Sequence, residues 1–360
     1  MNQSQKKDKN YNGIDVAKFI CSLLVVAIHV DPFGATENSI LVYLNFGIQQ
    51  YFARFAVPFF FIASGFFLYK KVSKEKKDAE YSKKYIIRLL KLYFLWTIIY
   101  LPISIYKITN DPDGVLQGVV NFLRNFLLVG SYTQLWYLNA LIIATIIIVL
   151  LYRKAQPNTI LIISFVLYLI GLFGNSWFGL LSPLKGMLPT VWSVFSFVKK
   201  VIVTTRNGVF FGFLFVSLGI CFAHYGNKIE KKVAIVGFIL SMVLFGVEVF
   251  FLKYKNIPSL GNDIFLFLIP SAFFLFSYCE QVDLQDNKIY KVLRIISSLM
   301  FYTHMWVAFI INKMISVINI NLNKTCINFV AVTIVTLIIS YLIYRLSTKE
   351  KYRFLRKLYS

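Results

Sequence analysis

Apolar residues in this chain are grouped into long runs and do not alternate with polar ones. A membrane-crossing helix needs about 20 largely apolar residues, and ten runs approach that length. They cover approximately 14–32, 47–69, 84–106, 134–152, 159–175, 206–225, 233–252, 262–280, 292–314 and 325–346. The fifth is short and is interrupted by Gly171 and Gly174. The pattern predicts an all-α, polytopic membrane bundle of about ten transmembrane helices.

Composition supports this prediction and charge gives the bundle an orientation. Of the 360 residues, 58% are hydrophobic and 15% are charged, which excludes an ordinary soluble enzyme, since soluble domains contain about 25% charged residues. The net charge of +22 would suggest nucleic acid in a soluble protein, but basic residues collect in the cytoplasmic loops of membrane proteins. With the N-terminus inside, 24 of the 38 basic residues lie on that side and ten lie opposite. We therefore predict cytoplasmic N- and C-termini, a bacterial cell membrane location and no nucleic-acid partner.

The chain reads as one membrane domain between two short tails. It has no Gly/Ser or Pro-rich linker and no polar segment long enough to fold separately. We assign a cytoplasmic tail to 1–13, the transmembrane domain to 14–346 and a basic cytoplasmic tail to 347–360. The four cysteines lie singly, without the spacing of metal ligands. We therefore predict that the cysteines are structural and that no metal is bound.

The first apolar run carries three ionisable residues on one helix face. Lys18 and His29 are eleven residues apart, which places them within roughly 20° of each other and about 16 Å apart along the axis. Asp15, three residues before Lys18, shares this face. His29 alone would fit a packing role, but three such groups on one stripe favour a polar path through the bundle, because each is costly inside a bilayer.

Other costly polar groups fall in the outer halves of the predicted spans. Arg54 either has a function in the site or extends its guanidinium to the outer lipid headgroups. Glu248 lies among Val and Phe and needs a cation or a proton, and Arg54 or Arg206 could supply the cation. His304, in the middle of a span, is as consistent with packing as with function. Two further residues join this set of outer-half candidates: Trp136, which also fits the aromatic belt, and Asn207.

Two cations mark the start of the third span. Arg88 and Lys91 are three residues apart and share a helix face just inside the predicted cytoplasmic boundary. Positive-inside anchoring is one interpretation. The other is a clamp for the phosphates of a nucleotide-bearing donor, since two cations at this spacing can neutralise adjacent phosphates.

Several of these segments resemble the acyltransferase 3 family of bacterial membrane proteins. Lys18 and His29 resemble its Arg-x10-His motif, with lysine in the arginine position, and AVPFFFIASGFFLYKK resembles its second-span signature. Arg88 and Lys91 are similar to its R-x-x-R pair, again with one lysine.

The resemblance extends to the later spans. Ser297, Phe301 and His304 are similar to an S-x3-Y-x2-H segment of the family, with phenylalanine in place of tyrosine. RFAVPFFFIASGFF, LWYLNA, YLIGLFGNSWFG and TRNGVFFG are more similar still to the membrane portion of the vancomycin-resistance serine racemases, a subgroup of the same family.

This resemblance implies acyl transfer across a bilayer, typically of an acetyl group from cytoplasmic acetyl-CoA to a hydroxyl of an extracytoplasmic cell-wall or surface-glycan acceptor. We expect Lys18, Arg88 and Lys91 to bind the CoA phosphates. We expect His29 to act as the base, with Arg206 and Glu248 in the catalytic set. The residues expected to bind the acceptor are Arg54, Trp136, Asn207 and His304.

A second function remains open. In the racemase subgroup the membrane part is thought to deliver L-serine, so the chain could be an amino-acid transporter. Arg54, Arg206 and Glu248 would then hold a zwitterion near the outer face. Inverted repeats, which are common in secondary transporters, are not evident in the sequence.

Overall fold

The protein is all-α in the part of the chain that the structure describes. The computed structural model describes residues 10–75, 78–152, 154–181, 183–190, 193, 196, 202–318 and 325–360. The α-helices are α1 (Asn12–Val30), α2 (Ser39–Gly47), α3 (Ala56–Glu75), α4 (Asp78–Thr109), α5 (Val115–Leu128), α6 (Trp136–Tyr152), α7 (Pro157–Phe173), α8 (Leu184–Met187), α9 (Phe213–Tyr225), α10 (Lys231–Tyr254), α11 (Leu268–Gln281), α12 (Lys288–Val317) and α13 (Cys326–Ser347). π-Helical turns cover Ile48–Phe52 and Gly208–Gly212, and 3-10 helices cover Thr133–Leu135, Phe178–Leu181 and Glu350–Leu358.

The predicted fold class is confirmed. Among the described residues, eight helical segments are long and apolar enough to cross a membrane, or nine if the bent pair Pro157–Phe173 and Phe178–Met187 is one span. All ten predicted runs coincide with helices, but α7 and α11 have only 17 and 14 residues. The chain is therefore a multi-pass membrane protein. Its cytoplasmic orientation stays a prediction, and residues 1–9 of the predicted N-terminal tail lie outside the described ranges.

The outer helices present apolar side chains to their surroundings. On α10, Val236, Ile239 and Val247 are each about 60% exposed, and α13 exposes Ile334 and Ile338 in the same way. Such a surface would promote association of the protein in water, whereas in a bilayer the apolar lipid tails cover it. This explains why the hydrophobic runs are apolar all round instead of on one face.

The centre of the bundle is formed by α3 against α9. Gly65 on α3 lies against the backbone of Val216, and Gly219 on α9 lies against the backbone of Ile62. Small residues at these positions let two membrane helices approach closely, which increases van der Waals packing where no hydrophobic force drives association. Phe59 and Phe66, which also lie on α3, are fully buried. This rigid pair supports the surrounding helices that carry the polar residues.

The segment before α11 is irregular, and side chains from other segments accept hydrogen bonds from its last residues. Glu248 on α10 accepts hydrogen bonds from the backbone N–H groups of Leu266 (2.8 Å) and Phe267 (2.9 Å). Asn175 accepts from the backbone N–H groups of Asp263 (2.9 Å) and Ile264 (3.1 Å). Irregular backbone is tolerated at membrane depth only where protein satisfies its polar groups. These bonds fix the place of Asp263.

Candidate functional site

His29 lies in the last turn of α1, close to a second histidine. The helix ends because Asp31 takes a left-handed conformation (φ 59°), which Asp tolerates better than most residues. The Asp31 carboxylate accepts a hydrogen bond from the Asn45 amide at 2.6 Å, which holds this end of α1 against α2. On the other side the ring of His304 lies 5.2 Å from that of His29, centroid to centroid. The structure thus brings together two of the predicted site residues.

His304 is held in one orientation by its own helix. Its side chain is completely buried, and its Nδ1 lies 2.9 Å from the Met300 carbonyl oxygen. A carbonyl only accepts hydrogen bonds, so Nδ1 carries the proton and donates. Nε2 is then an acceptor, and it is a buried atom without a partner among the described residues. His304 therefore offers an unused acceptor beside His29.

Two arginines share one aspartate near His29. Arg54 Nη1 lies 2.6 Å and Arg206 Nη1 lies 3.1 Å from Oδ1 of Asp263. Arg54 also donates from Nε and Nη2 to the Gln50 side-chain oxygen, at 3.1 and 2.6 Å. The Arg206 guanidinium lies over the Trp136 ring, 4.7 Å from its centroid. The arrangement carries two positive charges and one negative charge.

A small cavity joins these groups. Its volume is ≈ 40 Å³, enough for about two or three water molecules. The polar or charged lining residues are His29, Arg54, Gln134, Arg206 and Asp263, and the others are Val25, Ile28, Val57, Trp136, Phe211 and Phe301. Convergent polar groups in a mostly apolar, partly enclosed space are typical of a binding site.

Glu248 and Asn207, two other predicted site residues, are engaged elsewhere. Besides capping the segment before α11, Glu248 accepts from Trp177 Nε1 at 2.8 Å. Asn207 accepts from the backbone N–H groups of Val209 and Phe210 at the start of a π-helical turn, and it does not line the cavity. Both side chains thus have structural partners, and the site roles assigned to them stay predictions.

The predicted donor-binding residues do not line the cavity. Lys18 is half-buried, and its Nζ lies 4.8 Å from the centroid of the Phe67 ring. Arg88 and Lys91 are exposed on α4, and the Arg88 guanidinium lies 5.0 Å from the centroid of the Tyr85 ring. The buried carboxylate of Asp15 pairs with Arg294 at 2.6 Å. Lys18 near the start of α1 and Arg88 and Lys91 in the first half of α4 lie towards one end of the bundle, the cationic end, and His29 in the last turn of α1 lies towards the other.

A row of hydroxyl and aromatic side chains lies between Arg88 and His304. Tyr85 is close to both Arg88 and Ser64, and the Ser64 and Tyr137 hydroxyls are 3.1 Å apart. The Tyr137 ring lies 5.2 Å from that of Phe301, which lies 6.3 Å from His304. These contacts link the cationic end to the histidine pair through the interior.

Two polar or charged residues of the cavity, Asp263 and Gln134, were not predicted from the sequence. Asp263 stands in LGNDIF, at the start of a predicted span, and an acid at the edge of an apolar run was the signal available in the sequence. Gln134 stands in QLWYLNA, two residues before Trp136. Its neighbours in space come from other helices, so no local pattern indicates its burial.

Comparison with known proteins assigns the chain to a family. The profile of the acyltransferase 3 family, described as "Acyltransferase domain", matches residues 11–345. An amino-acid racemase of Enterococcus faecalis is 32% identical over 75% of this chain and 36% of its own length. A second amino-acid racemase of that species is 29% identical over 94% of this chain and 46% of its own length.

A serine/alanine racemase of Enterococcus gallinarum is 32% identical over 73% of this chain and 36% of its own length. The chain thus spans less than half the length of these curated relatives. No solved structure matches. Because the family profile covers nearly all of the helical bundle, including the histidine pair and the arginine–aspartate cluster, this chain belongs to the acyltransferase 3 family.

Proposed function

We propose that this protein is a membrane O-acyltransferase that moves a short acyl group, with acetyl the expected one, from cytoplasmic acyl-CoA to a hydroxyl of an extracytoplasmic cell-wall or surface-glycan acceptor. The observation that carries the proposal is the convergence of His29, Arg54 and Arg206 on one cavity, with cations at the opposite end of the bundle. A bacterial cytoplasmic membrane is the location that fits this arrangement.

In this proposal His29 acts as the general base. It takes the proton of the acceptor hydroxyl as the oxygen attacks the thioester carbonyl carbon. The carbon–sulfur bond then breaks, and the CoA thiolate leaves with the proton that His29 holds. The positive charge of Arg54 and Arg206 stabilises the negative charge that develops on the carbonyl oxygen, an effect that is strong in a space shielded from water.

The donor enters from the other end. Lys18, Arg88 and Lys91 would bind the CoA phosphates, and the pantetheine arm would reach inward along the row of Tyr85, Ser64 and Tyr137. Lys18 and His29 are about 16 Å apart on α1, a distance that an extended arm of this kind spans. One acyl group can therefore pass between two sites that face opposite sides of the membrane.

Amino-acid transport is the second candidate, because the curated relatives are named as amino-acid racemases. A zwitterion needs a free carboxylate for its ammonium group. Glu248 uses both oxygens for other bonds, and Asp263 is shared by two arginines. This geometry favours acyl transfer. Uptake of labelled serine into vesicles without CoA would instead support transport.

The test measures acyl transfer by the full-length protein in vesicles. Acetyl-CoA and cell-wall glycan fragments are supplied on opposite sides, and release of the CoA thiol is followed together with glycan acetylation. We expect His29→Ala to lower the rate at least about 100-fold, the contribution of a general base. The matched control is His224→Ala, since His224 is exposed and contacts Tyr69, away from the cavity. Full activity of His29→Ala, or no thiol release by the wild type, would overturn the proposal.

A further inference from the structure

Gln134 has a buried amide group without a partner. It lies in the 3-10 helix before α6, its side chain is completely buried, and it lines the cavity beside His29. Neither its Oε1 nor its Nε2 has a hydrogen-bond partner among the described residues. The neighbouring Tyr100 hydroxyl donates to the Tyr302 carbonyl at 2.7 Å and lies outside hydrogen-bond geometry with the amide. Native proteins rarely leave such a group unpaired, because its burial is costly.

In the part of the chain that the structure describes, Arg206 also has a buried guanidinium nitrogen without a partner, whereas each guanidinium nitrogen of Arg54 makes a hydrogen bond. Arg54 donates from Nε, Nη1 and Nη2 to Gln50 and Asp263. Arg206 donates from Nη1 to Asp263, and its Nε is a buried atom without a partner among the described residues. The Nε side of a guanidinium is one of the edges that bind a carboxylate through two parallel hydrogen bonds.

The cavity carries an excess of positive charge. Of its lining residues, Arg54 and Arg206 are positive and Asp263 is negative, and no other carries a full formal charge when the histidine is neutral. An anionic group would complete the charge balance. A cationic ligand group, such as an ammonium group, would add to the excess positive charge. The one acid among the described lining residues, Asp263, is already paired with both arginines.

We propose that Gln134 and the Nε edge of Arg206 form a subsite for an acceptor that carries a carboxylate next to its hydroxyl. The carboxylate accepts from Arg206, and the Gln134 amide donates to the ligand and accepts from a ligand hydroxyl other than the one whose proton His29 takes. Arg206 is then occupied by the acceptor, which leaves Arg54 to face the developing oxyanion. The substrate class is a hydroxy acid or an acidic sugar, in contrast to a neutral sugar.

This assignment rests on the proposed function only in naming the hydroxyl as the acyl acceptor. Binding itself needs no donor and no reaction. If the protein binds the acid but transfers no acyl group, the proposed function alone is rejected. If it transfers acyl groups but does not bind the acid, the subsite alone is rejected.

The first experiment measures equilibrium binding of small probes to the purified full-length protein in lipid nanodiscs. The probes are glycerate, its methyl ester, glycerol and serine. We expect glycerate to bind at least about tenfold more tightly than its ester or glycerol, as a charge-assisted pair contributes that much. Serine should bind no more tightly than glycerate. Equal affinity for glycerate and its ester would overturn the proposal, as would a clear preference for serine.

The second experiment separates the subsite from a structural role. Arg206→Lys keeps the charge and loses the planar fork, so glycerate should bind about tenfold more weakly, whereas the exposed Arg124→Lys should leave binding unchanged. Gln134→Leu removes two unpaired buried atoms at nearly constant volume. It should weaken glycerate binding about tenfold without lowering the midpoint of thermal unfolding. Unchanged glycerate binding, or a lowered midpoint, in Gln134→Leu would overturn the assignment.

Discussion

At the scale of single residues, Asp263 lets two arginines lie in one cavity. Without it, the Arg54 and Arg206 guanidiniums would repel each other in a poorly hydrated space. With it, one carboxylate oxygen takes a hydrogen bond from each. The side chains of Arg54 and Asp263 are only 13% and 17% exposed, so water does little to replace a lost partner. The cluster is therefore sensitive to the loss of its single acid.

We predict that Asp263→Asn destabilises the protein. Removal of one partner from a buried ion pair leaves uncompensated charge and costs about 3 kcal/mol of the free energy of unfolding. Chemical unfolding of the detergent-solubilised protein would measure this loss. Asp113→Asn is the control, because Asp113 is exposed in the connection between α4 and α5. Equal stability of the two variants would contradict a structural role for the shared carboxylate.

The sequence predicted part of this residue cluster and missed the rest. Lys18 and His29 share one helix, so helical geometry alone relates them. Asp263 reaches Arg54 and Arg206 only through the packing of three separate segments. Glu248 looked like an unpaired acid in an apolar run, and its partners turned out to be the Trp177 indole N–H and two backbone N–H groups, which any sequence contains. Tertiary contacts of this kind leave no local signal.

At the scale of helices, hydropathy located the helical runs but not the break before α11. The run 262–280 is apolar throughout, yet the helix begins only at Leu268. A carboxylate from α10, that of Glu248, accepts the N–H groups of the two residues directly before the helix, Leu266 and Phe267, an arrangement that also suits the helix dipole. The apolar run itself gives no indication of where this bond forms.

We predict that Glu248→Ala destabilises the irregular segment before α11 and leaves the chemical step unchanged. The change leaves three N–H donors without an acceptor, at about 1–3 kcal/mol each, so the unfolding midpoint should fall by several degrees. Acyl transfer per folded molecule should be retained. Thermal unfolding and transfer rates, corrected for the folded fraction, would be measured together.

Glu230→Ala is the matched control for this variant, since Glu230 is exposed at the other end of α10. A normal midpoint with a rate more than about 100-fold lower would instead show that Glu248 takes part in proton transfer, as the sequence suggested.

At the scale of the whole molecule, the proposed function assigns two chemical tasks to different parts of the bundle. The cavity with His29 lies at one end of α1, and the exposed cations Arg88 and Lys91 lie on α4 towards the other. The excess of basic residues on the N-terminal side predicts which end faces the cytoplasm. The interior row through Ser64 and Tyr137 connects the two ends. If acyl groups cross the membrane here, donor affinity and acceptor affinity depend on different residues.

This separation predicts the kinetics of variants at the cationic end. Arg88→Ala and Lys91→Ala should each raise KM for acetyl-CoA about tenfold, the value of one charge-assisted phosphate contact, and leave KM for the acceptor unchanged. Lys83→Ala is the control, because Lys83 is exposed on the same helix one turn nearer its start. Steady-state rates with each substrate varied in turn would give both constants. An equal rise in KM for donor and acceptor would mean that both substrates bind at one site. If Lys83→Ala had as large an effect as the other two changes, Arg88 and Lys91 would have no specific role in donor binding and would only anchor the helix in the membrane.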